Sequence, residues 1–259
     1  MKKRIEKLNL ILAGLMLTAT TALQSCSDDD DTDYSMVYPN ALVTVKPDAD
    51  GKSFRMQLND STQLWPVNMR QSPFGKKEVR ALVNYRQATA AELDKGGIYA
   101  DMGQVYVNWI DSILTKPMVE SFANAEENQK KYGSDPLEIV NDWVTVAEDG
   151  YLTLRFRTRW GGGVKHTVNL VHRTDVNTPY YFTLYHDAKG DVNGQVGDAL
   201  VAFRLADGIV PQEHRGMETL TLEWKSYTGM KTAHFKFRTD RLSSYGTPDL
   251  SRSLEKGIE

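Results

Sequence analysis

Along most of this chain apolar and polar residues alternate with a period of two, the spacing that sends successive side chains to opposite faces of a β-strand. Phe54, Met56 and Leu58 alternate with Ser53, Arg55 and Gln57, which predicts a strand with one buried and one wetted face. The apolar run from Ala41 to Pro47 precedes it, and the turn-rich Asp48-Ala49-Asp50-Gly51 between the two marks a hairpin. Thr62 to Val67, Glu78 to Arg86 and Gln104 to Leu114 add further short strands. Five short strands within about 75 residues suit a small barrel better than a sandwich.

From Pro117 to Tyr132 the alternation stops and helix formers dominate, predicting a short helix or ordered connector. Gly133-Ser134-Asp135-Pro136 breaks it and marks a domain boundary. Strict alternation then returns. In Tyr151 to Trp160, Leu152, Leu154 and Phe156 share one face, with Tyr151, Thr153, Arg155, Arg157 and Arg159 on the other. Val164 to Val171, Tyr180 to His186, Ala199 to Leu205, Thr219 to Trp224 and His234 to Thr239 follow, separated by Gly, Asp and Asn turns. This spacing predicts an antiparallel β-sandwich with one solvated face per sheet. The halves show no internal repeat.

The start of the chain departs from this pattern. Lys2, Lys3, Arg4 and Lys7 stand against a single acid, Glu6, and Leu8 to Leu23 carries no charge, the layout of a secretory signal. The run is shorter than the ~20 apolar residues a spanning helix needs, and Thr18, Thr20 and Thr21 dilute it. It ends in Leu23-Gln24-Ser25-Cys26, which resembles a bacterial lipobox, although Gln24 is larger than the residue usual there. Cys26 is the only cysteine, so its lipidation leaves no thiol for a disulfide and stability must come from core packing. Ser27-Asp28-Asp29-Asp30-Asp31 follows, whose adjacent carboxylates repel one another and predict a solvated tether. This segment resembles the serine-plus-acidic export tag of surface lipoproteins in the Bacteroidetes, which implies a lipid-anchored protein on the outer membrane, exposed at the cell surface.

Cleavage before Cys26 removes four bases and one acid, taking the formal net charge from −3 to −6. That acidity argues against a nucleic-acid partner, whose phosphates require a basic surface. The expected organisation is a signal peptide (1–25), lipidated cysteine and tether (26–37), small barrel (38–118), short helix or connector (119–134) and β-sandwich (135–259). With the lipobox, Asp142-Trp143-Val144-Thr145-Val146, Gly150-Tyr151-Leu152-Thr153-Leu154 and Val168-Asn169-Leu170-Val171 resemble the NigD-like lipoproteins of Bacteroides and Prevotella. The resemblance implies an OB-like barrel followed by a β-sandwich, brings no catalytic residues, and through its association with bacteriocin gene clusters implies an immunity role.

Candidate chemistry is sparse. The five histidines form no His-x-x-x-His pair, and ordinary strand or turn histidines are the expectation, with no metal and no cofactor. There is no Gly-x-Ser-x-Gly elbow and no Ser-x-x-Lys stretch. Carboxylates for a cell-envelope hydrolase could come from Glu138, Asp142, Glu148, Asp149, Glu218 and Glu223, but sequence gives no separation between them. Gly161-Gly162-Gly163 reads as a hairpin turn, lacking the lysine and helix of a phosphate loop. Asp187 to Asp198 resembles a calcium loop, yet Val192 stands where glycine is needed, so a solvated connection is expected. Arg155, Arg157 and Arg159 share one strand face, as do His234, Lys236 and Arg238 opposite the apolar Phe235 and Phe237. Were those strands neighbours, they would form a basic face for an anionic glycan, lipopolysaccharide phosphate or acidic partner. The alternative is a solvated sheet face with cross-strand pairs to Asp or Glu. The sequence thus points to a non-enzymatic, membrane-anchored protein with a protein or glycan partner, with bacteriocin immunity and envelope hydrolysis as alternatives.

Overall fold

The computed structural model describes residues 34–95, 103–205 and 216–241. The leader, Cys26, the tether residues Ser27 to Asp31 and His214 lie outside the described residues. The chain divides after Met36. Of the N-terminal unit only the 3-10 turn Tyr34–Met36 is described, and Val37 onward forms one compact unit.

The five expected strands close into a barrel: β1 (Ala41–Pro47), β2 (Phe54–Gln57), β3 (Gln63–Pro66), β4 (Val79–Gln87) and β5 (Gly103–Ser112), in the order β1-β2-β3-β5-β4. Alternation turns Val43, Val45, Phe54, Met56, Leu64, Ala81, Val83, Val105 and Val107 into one apolar core. Gly51, at φ 72°, closes the β1–β2 hairpin with its N–H on the Asp48 carbonyl at 2.8 Å. Closure removes the exposed sheet edges that would otherwise invite pairing with other chains.

The second half packs two sheets face to face. One holds β10 (Thr167–His172), β11 (Tyr181–Asp187), β13 (Met217–Ser226) and β14 (Gly229–Arg238), ordered β10-β11-β13-β14. The other holds β6 (Leu114–Pro117), β12 (Gln195–Arg204), β9 (Tyr151–Trp160) and β7 (Glu138–Ile139), with β8 (Val146–Glu148) also paired to β9. Leu152, Leu154, Phe156, Phe182, Phe203 and Leu220 fill the space between them. The sandwich is mixed where an antiparallel one was expected. Because β12 crosses to the second sheet, β13 returns beside β11 in the same direction, and β6 runs parallel to β12.

Two expected boundaries move. Leu114 to Pro117, assigned to the barrel, is an edge strand of the sandwich. Gly133 to Pro136 is an internal turn: the helix α1 (Ala125–Tyr132) precedes it, the Asp135 N–H bonds the His186 carbonyl at 2.8 Å, and Leu137 is buried in the sandwich core.

Tyr151 and Thr153, expected on a solvated face, are fully buried because the barrel covers that end of β9. Leu42, Ile113, Val144, Tyr151 and Ala202 form the apolar part of this seam. At its centre Arg80 is completely buried, its guanidinium donating to Thr44 Oγ1 at 2.9 Å, to Thr153 Oγ1 at 3.3 Å and to Glu148 Oε1 at 2.6 Å. Burial pushes the Glu148 carboxyl above its ordinary pKa, against the pull of the Arg80 charge. Lys46 adds a second ion pair across the seam, 2.7 Å from Asp149. The two covered faces explain why Ala41 to Val45 is buried at every position instead of at alternate ones.

Candidate functional site

The structure does not assemble the basic face. Arg155, Arg157 and Arg159 lie on β9, whereas Lys236 and Arg238 lie on β14 in the opposite sheet. Their donors are also engaged locally. Asp198, opposite Arg157 in the ladder, bonds Arg157 Nε at 2.6 Å and Arg155 Nη2 at 2.8 Å, while Asp142 takes the other Arg155 nitrogen. Arg159 reaches the Gly194 carbonyl at 3.4 Å, Lys236 donates to Thr219 at 2.6 Å and Arg238 pairs with Asp240 at 2.6 Å. Cross-strand pairing, the alternative reading, describes Arg155 and Arg157, both held by Asp198.

The acidic loop is similarly divided. Asp187 accepts from the Lys189 N–H, Asp191 from the Gly161 N–H, and Asp198 is held by the two arginines. Among the described residues no three His, Cys, Asp or Glu side chains converge as a metal site. The carboxylates considered for hydrolysis are dispersed as well: Glu138 pairs with Lys231, Asp142 with Arg155, Glu148 with Arg80 and Asp149 with Lys46.

What sequence reasoning missed is a histidine pair at the far end of β9. His172 and His234 behave as strand histidines, bonding Pro179 O and Thr221 Oγ1. His166 and His186 are instead buried against each other, Nδ1 of the first 3.0 Å from Nε2 of the second. The register places Val168 opposite His186, so His166, two residues earlier on the same face, lies diagonally across from it. That register was the missing signal, because sequence spacing alone does not align β10 with β11. Trp160 stacks on His166 at 4.3 Å, and Asp191 Oδ2 lies 3.5 Å from its Nε2.

Local structure fixes the pair from the other side. Asn124 caps α1 by accepting the Glu127 N–H at 2.9 Å, with Glu126 and Glu127 in the first turn and Lys130 and Lys131 in the last, matching the helix dipole. Gly133 ends the helix at φ 90° against the His186–Asp187 backbone, where an added Cβ would meet Asp187 Cβ and His186 O at 2.5 Å. Gly133→Ala is therefore expected to lose about 2–4 kcal/mol of stability through backbone strain and the clash. A urea unfolding curve checks this.

His186 borders two small cavities of about 40 Å³ each, room for a water rather than a metabolite. Burial, and secondarily the His166 charge, hold the His186 pKa down to about 4. A folded pKa below the unfolded value of about 6.5 contributes stability that is full above pH 6.5 and is lost as pH falls toward 4. The expected loss is on the order of 3 kcal/mol between those limits, and His186→Gln should flatten it in pH-dependent urea melts.

A closed five-stranded OB-type barrel sealed onto a β-sandwich defines a two-domain all-β protein. The chain belongs to the NigD-like family: residues 42–113 match the NigD-like N-terminal OB domain and residues 120–237 the NigD-like C-terminal beta sandwich domain. Among solved structures it resembles a protein described as toxin-related from Parabacteroides distasonis, at 29% identity and TM-score 0.61, covering 78% of this chain and 93% of that one. It also resembles a protein of unknown function from Bacteroides vulgatus (19% identity, TM-score 0.59, 80% and 95% covered). A third is a NigD-like immunity protein from Bacteroides caccae (21% identity, TM-score 0.52, 78% and 99% covered). No curated protein matches the chain.

Proposed function

We propose that this protein is a non-enzymatic binding protein, held on the outer membrane by lipid on Cys26 and displayed at the cell surface on its acidic tether. The observation that carries the reading is the lipobox Leu23 to Cys26, with Ser27 to Asp31 behind it, at the head of a NigD-like barrel and sandwich. The pairing of Asp149, Glu148, Asp142 and Asp198 with Lys46, Arg80, Arg155 and Arg157 supports binding through loops and surface over chemistry in a cleft. Proteolysis of whole cells tests display: cleavage in intact cells is expected, and protection until lysis would refute it.

A more specific reading is protection against a bacteriocin, in line with the immunity role named for the NigD-like protein of Bacteroides caccae. Deleting the gene and challenging the host with the toxin of its own cluster tests this. Raised sensitivity is expected, and unchanged sensitivity would exclude immunity.

A further inference from the structure

We propose that His166 and His186 form a one-proton store, taking up a single shared proton on acidification and tying the loops at 133–136 and 188–194 to one charge. The bond between His166 Nδ1 and His186 Nε2 uses one N–H. The outer nitrogens, His166 Nε2 and His186 Nδ1, are buried without a hydrogen-bond partner. Asp191 Oδ2 lies 3.5 Å from the first, and the backbone acceptors of Pro136 and Asp135 act on the His186 ring. Two neutral imidazoles hold two ring protons on four nitrogens, one of them between the rings. In either tautomer one outer nitrogen then turns a lone pair toward oxygen. A single added proton gives both outer nitrogens an N–H, and Asp191 supplies the counter-charge.

A second added proton has no such accommodation. It would place two cations with ring centres 5.1 Å apart in a buried site. The surroundings include Asp135, Asp191 and Tyr227 at one cavity, and Tyr185, Arg173, Glu223 and Lys225 at the other. Asp191 Oδ2 lies 3.5 Å from His166 Nε2, the Asp135 charge acts on His186, and Arg173 at the second cavity is already bound to Asp175 at 2.5 Å. The charge reaches both loops because Asp191 also accepts the Gly161 N–H at 2.9 Å and Asp135 accepts the Ala188 N–H at 2.8 Å.

The test follows histidine ring nitrogen shifts in the full-length chain, labelled with nitrogen-15 and held in detergent micelles, from about pH 7.5 to about 4.5. Amide shifts report that the fold stays intact. The pair is expected to gain one proton in total. Asp191→Asn keeps an acceptor for Gly161 but removes the counter-charge, and is expected to take up the proton with about tenfold lower affinity, one pH unit lower. Two rings that stay neutral across the range, two that become cationic together, or an unmoved titration in Asp191→Asn would each overturn the proposal.

Discussion

Arg80→Ala is expected to destabilise the folded chain by about 3 kcal/mol, measured as a shift in the urea unfolding midpoint. The side chain is completely out of water, and its guanidinium joins Thr44 of the barrel to Thr153 and Glu148 of the sandwich. Truncation leaves the Glu148 charge without its partner in a seam that already disfavours ionisation. It also opens a cavity beside Tyr151, whose ring centre lies 6.0 Å from the guanidinium. The paired substitution Arg80→Met with Glu148→Met removes both charges and keeps most of the volume, so it should recover most of the loss. A single substitution costing under about 1 kcal/mol would show that the seam does not depend on this ion pair.

The second large effect concerns location. Cys26→Ala is expected to release the protein from the membrane fraction into the soluble one and to abolish incorporation of labelled palmitate. Each buried CH₂ contributes about 0.8 kcal/mol, so one acyl chain holds a protein only marginally while several hold it durably. Among the described residues no helix is long and apolar enough to cross a membrane. Continued sedimentation of Cys26→Ala with membranes would contradict anchoring by lipid.

Much of the fold was legible in the sequence because alternation is a local signal. Phe54 and Met56, or Leu152, Leu154 and Phe156, point inward whatever their strand neighbours are. Burial from a second layer was not legible. Tyr151 and Thr153 look like solvent-facing residues until the barrel is placed over them, and Arg80 looks like a surface cation until Glu148, 68 residues away, closes on it. The same limit governed the candidate sites. The arginine face needed β9 and β14 to be neighbours, and they belong to different sheets. His166 and His186 needed the register of β10 on β11, which no local spacing encodes. The parallel pairing of β11 with β13 likewise follows from the path of β12 between them.

Cross-linking in intact cells tests most directly the proposal that this protein acts by binding while anchored. The full chain carries an epitope tag and is compared with Cys26→Ala expressed at the same level. One dominant cross-linked partner, present with the anchored form and lost with the released one, is the predicted result. No dominant partner from the anchored form, together with turnover of an envelope glycan or peptide by the purified protein, would contradict it.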